Sequence, residues 1–197
     1  MSDKIIAGHF ERSSVALAQA ARDPALLKIV NDIATAATAA LRGGGKILIA
    51  GNGGSAADAQ HIAAEIVGRY KQDRPSYAAI ALTTDTSALT AIANDYGFEQ
   101  VFARQVEGLG ARGDVLIAMS TSGRSANILA ALKKARERGL VTVGFTGAAG
   151  AAMGTDCDHL LIAPSDDTPV VQQIHLAVGH GICDEIEQTM MRAAPGK

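Results

Sequence analysis

The sequence predicts a three-layer α/β/α sandwich around a five-stranded parallel sheet, with additional helices at the N-terminus. Five short apolar runs alternate with segments of helical periodicity, and uninterrupted apolar strands are typical of a parallel sheet covered on both faces. Polar loops rich in glycine or hydroxyl groups follow three of these runs, at the edge where open α/β sheets bind ligands. The 197 residues, 48% of them apolar, are enough for one such domain.

Composition excludes several classes of function. The formal net charge is −2, with lysines and arginines scattered along the chain, which argues against a nucleic-acid or anionic membrane surface. No run approaches the length of a membrane span, and the opening MSDKIIAGHFERSS lacks the apolar segment of a signal peptide. Cys157 and Cys183 have no local spacing motif, which favours a reducing compartment. We therefore expect a cytoplasmic protein without nucleic-acid or membrane partners.

The N-terminal segment, residues 1–45, is predicted to be helical. Its second helix begins at Asp23-Pro24, because aspartate caps helices and proline fits the first turn. Apolar residues recur at helical spacing through Ala37, and the glycines at 43–45 end the helix. The whole chain, 1–197, is expected to be a single domain in which this segment precedes an α/β core over 46–197.

The core is predicted to alternate strands and helices. Helices should follow the GNGGS loop to about Tyr70, the Thr83-Thr84-Asp85 turn, and the STSGRS loop to about Arg138, and a long helix from Thr168 to Met191 should close the chain. The strands are expected at 46–50, 77–82, 114–119, 141–145 and 160–163.

Two loops have the composition of an anion site. Residues 120–125 (STSGRS) lie between a strand and a helix, where hydroxyls, backbone N–H groups and the helix dipole all favour a phosphate. Residues 51–55 (GNGGS) form a second such loop, which matches neither the P-loop nor the dinucleotide fingerprint. Each loop alone could be an ordinary helix-capping turn. Together they predict a phosphorylated small molecule as ligand.

Two pairs of polar residues share helix faces. His61 and Glu65 are four residues apart, and Gln172 and His180 are eight apart on the terminal helix. The pairs could converge on a metal or flank a substrate, and they could equally be a solvated helix pair and a buried histidine. His175 lies off the face of His180 and is expected to be structural.

Four motifs together resemble those of a known protein family. GNGGSAADAQHIAAE, AIANDYGFEQVFARQV, GDVLIAMSTSGRSAN and VQQIHLAVGH resemble the phosphoheptose isomerases, which are sedoheptulose 7-phosphate isomerases of the sugar isomerase (SIS) family. The resemblance runs from about Leu26 to the last helix. It implies a flavodoxin-like SIS fold, a homotetramer, and conversion of sedoheptulose 7-phosphate to D-glycero-D-manno-heptose 7-phosphate, the first step of ADP- or GDP-heptose precursor synthesis.

The resemblance also implies roles for individual residues. It assigns proton transfer to Glu65 and His180, and one zinc ion per subunit to His61, Glu65, Gln172 and His180. Glutamine is an unusual zinc ligand, and a metal-bound carboxylate is a weaker base, so the role of Glu65 stays open between base and ligand. The substrate-binding residues implied are Asn52, Gly53, Gly54, Ser55, Glu65, Asn94, Asp95, Ser120, Thr121, Ser122, Ser125 and Gln172.

Two positions depart from the family pattern, and other classes of SIS protein compete with the isomerase. Arg124 stands where asparagine is common, and Gln173 replaces a frequent glutamate. Non-catalytic SIS tetramers that regulate replication initiation tend to lose the acid–base pair, which Glu65 and His180 retain here. A sugar-phosphate-sensing regulator would need a DNA-binding segment, and glutaminase-linked SIS enzymes need an N-terminal domain with a terminal cysteine. The sequence contains neither feature.

Overall fold

A computed structural model describes residues 2–192; residue 1 and residues 193–197, the ends of the predicted single domain, lie outside this range. Within it the helices are α1 Ser2–Ala20, α2 Pro24–Arg42, α3 Gly54–Val67, α4 Thr86–Tyr96, α5 Ala103–Leu109, α6 Ala126–Arg138 and α7 Thr168–Arg192. The strands are β1 Ile47–Gly51, β2 Ala79–Ala81, β3 Val115–Met119, β4 Val141–Gly147 and β5 His159–Ala163. Short 3-10 helices cover Phe98–Gln100 and Ala148–Asp156.

The five strands form one parallel sheet in the order β2-β1-β3-β4-β5. This is the flavodoxin-like order, in which the chain reverses direction across the sheet between β1 and β3. The carboxyl ends of these two strands therefore border a crevice, and both anion loops predicted from the sequence begin there. The predicted fold class is confirmed.

Alternate residues of β1 and of β3 point into two separate cores. Ile47 and Ile49 of β1 belong to a buried cluster formed with α2, α3 and α7, whereas Leu48 and Ala50 belong to a second cluster formed with α5 and α6. All five residues of β1 and of β3 are buried. Both sheet faces are thus covered by helices, which explains why these strands are apolar throughout rather than alternating.

Several boundaries differ from the sequence prediction. β2 is an edge strand of only three residues, and it pairs with β1 alone. Helix α3 ends at Val67 rather than near Tyr70, since the following N–H groups of residues 70–72 donate to the Glu187 carboxylate instead of continuing the helix. The helical stretch after Asp85 is divided at Gly97, whose φ of 88° ends α4.

The N-terminal helices pack against the α7 side of the domain. Asp23 Oδ1 accepts hydrogen bonds from the N–H groups of Ala25 and Leu26 at 2.9 and 3.2 Å, which is the predicted cap of α2. Ala16 of α1 is buried in a small cluster that α7 also supplies. Elsewhere α1 exposes Ile5 and Phe10 by 74% and 68%. Among the described helices, none has the length and apolarity needed to cross a bilayer.

Candidate active site

The glycine loop after β1 brings the starts of α3 and α7 together. Gly53 has a φ of 55°, a left-handed conformation that L side chains rarely adopt, and it immediately precedes α3. A Cβ at position 54 would overlap the side-chain amide of Gln172. Gly54 therefore lets the Gln172 amide of α7 rest directly against the first turn of α3.

The hydroxyl loop after β3 is folded compactly in front of α6. The hydroxyls of Ser120 and Ser125 are 2.9 Å apart, and Ser125 is the residue that precedes the helix. The N–H of Gly123 donates to the Ser120 carbonyl at 3.0 Å, with a φ of 65° at the glycine. Two hydroxyls consequently face the positive end of the α6 dipole, as an anion site requires.

A cavity of about 250 Å³ lies between the two loops. It contains most of the substrate-binding residues predicted from the sequence, and Thr168 and Met119 are additions that the sequence reading missed. The lining residues are Asn52, Gly53, Gly54, Ser55, Met119, Ser120, Thr121, Ser125, Thr168 and Gln172.

Four predicted substrate-binding residues do not line this cavity, namely Glu65, Asn94, Asp95 and Ser122. Ser122 is exposed, and its hydroxyl accepts a hydrogen bond from the Arg124 N–H at 3.3 Å. Asn94 and Asp95 lie on α4, a helix without a fully buried residue, and bond to each other at 2.8 Å. Within the described part of the single chain, Asn94 and Asp95 remain on an open surface.

A reciprocal amide pair connects the two loops. Asn52 Nδ2 donates to Asn127 Oδ1 and Asn127 Nδ2 donates to Asn52 Oδ1, each at 2.9 Å. Asn127, in the first turn of α6, is only 3% exposed. Sequence reasoning missed it because its partner lies 75 positions away, although its place just after STSGRS was a usable signal.

The predicted His/Glu pair of α3 meets His180 of α7. Nε2 of His61 lies 2.9 Å from Nε2 of His180 and 3.4 Å from Oε1 of Glu65. Potential ligand atoms of all three side chains lie within 4.8 Å of one another. The His61 side chain is 48% exposed and that of Glu65 24%, so the group is open to a ligand.

The donor set fits a zinc ion. Two imidazole nitrogens and a carboxylate oxygen are common zinc ligands, and donors about 2.1 Å from a tetrahedral ion lie about 3.4 Å apart. The observed separations of 2.9 and 3.4 Å are close to that spacing. Three protein ligands with an open fourth position are typical of catalytic zinc sites.

Tyr70 and Asp58 flank this group. The Tyr70 ring centroid lies 5.6 Å from that of His180, with 30° between the ring planes. Asp58 lies one turn before His61 on α3; burial raises the pKa of its carboxyl, and the charge of His61 lowers it by less. Its Oδ2 is buried without a hydrogen-bond partner among the described residues.

The cavity and the His/Glu/His group lie along one seam between α3 and α7. Gly54 and Gln172, near the helix starts, border the cavity. His61 is seven residues after Gly54 and His180 eight after Gln172, which corresponds to about 10–12 Å of helical rise. The Gln172 amide rests at the cavity end, against Gly54, so its role as a fourth metal ligand stays a prediction.

His175 and the two residues that depart from the family pattern, Gln173 and Arg124, do not line the cavity. His175 is fully buried, and its Nε2 is 3.2 Å from the Thr146 carbonyl oxygen, as its structural interpretation requires. Burial lowers its pKa to about 4, and the bond to Thr146 offsets only part of this. Gln173 Nε2 lies 3.2 Å from His9 Nε2 of α1, away from the cavity lining. Arg124 is exposed beside the hydroxyl loop.

Comparisons with known proteins identify the family. A family model described as the SIS domain matches residues 9–147. The phosphoheptose isomerase of Bradyrhizobium sp. (strain ORS 278) is 70% identical over 98% of this chain and 97% of its own. The phosphoheptose isomerase structures from Neisseria gonorrhoeae and Francisella tularensis have TM-scores of 0.89 and 0.90, with 43% and 36% identity. Each covers 95% of this chain, and the alignments include 100% and 99% of the two solved chains. The chain belongs to the phosphoheptose isomerase family of SIS-domain proteins.

Proposed function

We propose that this protein converts sedoheptulose 7-phosphate into D-glycero-D-manno-heptose 7-phosphate, the first step in making a nucleotide-activated heptose precursor. One observation carries the proposal: a hydroxyl-lined anion cavity and an acid–base group lie along the same α3–α7 seam, about 10–12 Å apart in helical rise. A sugar phosphate carries its phosphate at one end and its carbonyl at the other, so its two ends need two such sites.

The cavity is proposed to hold the phosphate. The hydroxyls of Ser120 and Ser125, together with N–H groups at the start of α6, supply donors and a positive dipole. The glycine loop approaches from β1, and the Gln172 amide lies at the boundary between the phosphate end and the rest of the sugar. These contacts orient the carbonyl end toward the His/Glu/His group.

Glu65 and His180 are proposed to move the protons. Isomerisation removes a proton from the carbon beside the carbonyl, passes through an enediol, and returns a proton to the neighbouring carbon. A carboxylate is suited to the carbon-bound proton, and an imidazole to the protons on the two oxygens. A zinc ion held by His61, Glu65 and His180, with Gln172 as the proposed fourth ligand, would supply Lewis-acid stabilisation of the developing oxyanion.

The active form is proposed to be a homotetramer in the cytoplasm, formed from single-domain subunits. Several residues are more than half exposed in the isolated chain: Ile5, Ile6, Phe10 and Val15 of α1, Tyr96 at the end of α4, and Phe98 just after it. Such surfaces support contact with further copies of the chain, and Asn94 and Asp95 of α4 would then reach substrate across a subunit boundary. The two cysteines are free thiols, which supports a reducing compartment. Light scattering at micromolar concentration should give the mass of four chains.

Turnover of sedoheptulose 7-phosphate by purified protein tests the function. Glu65→Gln and His180→Gln should each lower kcat by about 10²–10⁴-fold, the usual contribution of general acid–base catalysis. Glu107→Gln on the exposed side of α5 and His159→Gln at the start of β5 are matched controls that should leave kcat unchanged. Wild-type protein without turnover would favour the alternative, a non-catalytic SIS regulator. Near-normal turnover in both site variants would refute the acid–base assignment.

Metal content is a separate test of the same site. Elemental analysis of protein purified without chelator should find about one zinc per chain, given three conventional ligands in place. Gln172→Ala should lower zinc affinity if the amide is a ligand, and should affect only substrate KM if it is not. Full activity in metal-free protein would show that the side chains act without an ion.

A further inference from the structure

A buried ion pair joins the loop after α3 to the last turns of α7. The side chains of Arg74 and Glu187 are 3% and 1% exposed, and Arg74 Nε donates to Glu187 Oε2 at 3.1 Å. The backbone N–H groups of Tyr70, Lys71 and Gln72 donate to the same carboxylate at 3.0, 2.9 and 2.8 Å. Burial alone would raise the pKa of Glu187, but these hydrogen bonds outweigh it and hold the pKa below its ordinary value.

Arg74 extends this connection to the end of α3. Its Nη2 donates to the backbone carbonyl of Glu65 at 2.9 Å, and its Nη1 donates to the Pro75 carbonyl at 3.1 Å. The guanidinium also lies 4.3 Å from the centroid of the Tyr77 ring. One buried cation therefore contacts both the Glu187 carboxylate of α7 and the turn of α3 that carries Glu65.

The same network reaches His180 from the other side. Glu187 lies seven residues, or two turns, after His180 and so shares its face of α7. The N–H that Glu187 accepts from residue 70 belongs to Tyr70, whose ring packs against His180. The ion pair thus contacts the backbone of one member of the His/Glu/His group and the aromatic neighbour of another.

A contribution to stability alone does not explain why a buried ion pair stands at this place. A well-packed apolar replacement for a buried ion pair is often as stable or more so, whereas fixing the register of packed elements is its best-attested use. We propose that the Arg74–Glu187 pair positions the His61/Glu65/His180 group by fixing the register of α3 against α7 and seating Tyr70 on His180. The inference rests on the proposed role of that group. Arg74 and Glu187 are positioning residues, since neither belongs to the group itself.

The test replaces the pair without leaving one charge buried. Arg74→Met with Glu187→Leu should lower kcat and zinc affinity, the latter measured by competition with a chromogenic chelator, by about 10–100-fold, as loss of an outer-shell partner does. Inhibition by inorganic phosphate should change less than about 2-fold, because the anion cavity lies at the far end of the seam. Hydrogen exchange at the amides of residues 70–72 should accelerate. Glu187→Gln, which keeps the size of the side chain, serves if the double variant does not fold.

A second ion pair, between a buried aspartate and a partly exposed lysine, provides the matched control. Lys46 Nζ lies 2.6 Å from Asp114 Oδ2, and the 2% exposed aspartate also accepts N–H groups from Lys46 and Ala111 at 2.9 and 2.8 Å. It lies at the amino ends of β1 and β3, the edge of the sheet opposite the loops. Lys46→Met with Asp114→Leu should lower the melting temperature while preserving kcat and zinc affinity.

The outcomes distinguish failure of the positioning inference from failure of the proposed function. Normal kcat and zinc affinity in the Arg74/Glu187 double variant, or equal losses in both double variants, would overturn the positioning inference. A folded Glu187→Gln variant with normal kcat and zinc affinity would overturn it as well. Absence of turnover and zinc in wild-type protein would instead overturn the proposed function.

Discussion

The amide pair between Asn52 and Asn127 makes the clearest prediction about how the two loops cooperate. Each side chain gives the other one donor and one acceptor at 2.9 Å, so Asn127→Ala removes two hydrogen bonds at once. Asn127 is 3% exposed, whereas Asn52 is half-buried and can regain water. A buried polar group without a hydrogen-bond partner costs about 1–3 kcal/mol. Because Asn52 can be partly hydrated, the expected loss of unfolding free energy is about 1–2 kcal/mol.

The effect on catalysis follows from the position of Asn52 in the cavity lining. Asn127 does not line the cavity, so its loss should act through Asn52. We expect Asn52→Ala, Asn127→Ala and the double variant to have similar kcat/KM values, each reduced roughly 10-fold, which corresponds to about 1.4 kcal/mol. The double-mutant cycle should then show a coupling energy of about 1 kcal/mol or more.

The assay combines steady-state kinetics with urea unfolding of the three variants. Gln105→Ala is the matched control, because that buried amide donates to the Leu82 and Val101 carbonyls at 3.0 and 2.9 Å and is absent from the cavity lining. The control should lose stability while keeping kcat/KM. Additive losses in the Asn52/Asn127 cycle would refute the reasoning, because independent sites add and coupled ones do not.

Three further predictions follow from the geometry. Ser125→Ala should raise substrate KM by about 10-fold, because it removes a charge-assisted hydrogen bond. The increase should be larger than in Ser122→Ala, because only Ser125 lines the cavity, and equal KM values in the two variants would place the phosphate elsewhere. Gly54→Ala should raise KM by displacing the Gln172 amide, whereas Gly108→Ala, where a Cβ meets no atom within 4 Å, should leave KM unchanged. Burial lowers the pKa of His175 from 6.5 to about 4, so the unfolded chain binds more protons than the folded chain between these pH values. The stability that neutral His175 contributes is therefore complete above pH 6.5 and is lost as the pH falls toward 4. Between pH 7.5 and 5 wild type should therefore lose about 2 kcal/mol more unfolding free energy than His175→Gln, which denaturant unfolding measures; equal losses would contradict it.

The sequence predicted the sheet because its strands are buried on both faces. In β1 every residue is buried, and no polar residue interrupts the run. The edge strand β2 was predicted over 77–82 but covers only Ala79–Ala81, where Ile80 is 37% exposed. The Ala78 carbonyl and the Leu82 N–H on either side of it still bond to β1, at 3.0 and 2.9 Å. The apolar run is therefore longer than the stretch that pairs in register with β1.

The candidate site was predictable where its members are close in sequence. His61 and Glu65 share a helix face at a spacing of four, and Ser120 and Ser125 belong to one loop. Asn127 lies just after that loop, but its partner lies 75 positions away and an isolated asparagine near a helix start is commonplace. Only the fold shows that its side chain turns toward β1.

The ion pair of Arg74 and Glu187 shows most clearly what sequence pattern omits. A glutamate seven residues after His180 reads as part of a solvated helix face, because charged residues are seldom fully buried unless paired. Here the pairing is made across 113 positions, and three consecutive backbone N–H groups complete it. Those donors are the ones that α3 would use if it continued past Val67, so the early end of α3 and the burial of Glu187 have one cause. That cause leaves the Glu65 carbonyl bonded to Arg74 and the Tyr70 ring against His180. The place where α3 stops therefore decides which contacts the His61/Glu65/His180 group makes with its surroundings.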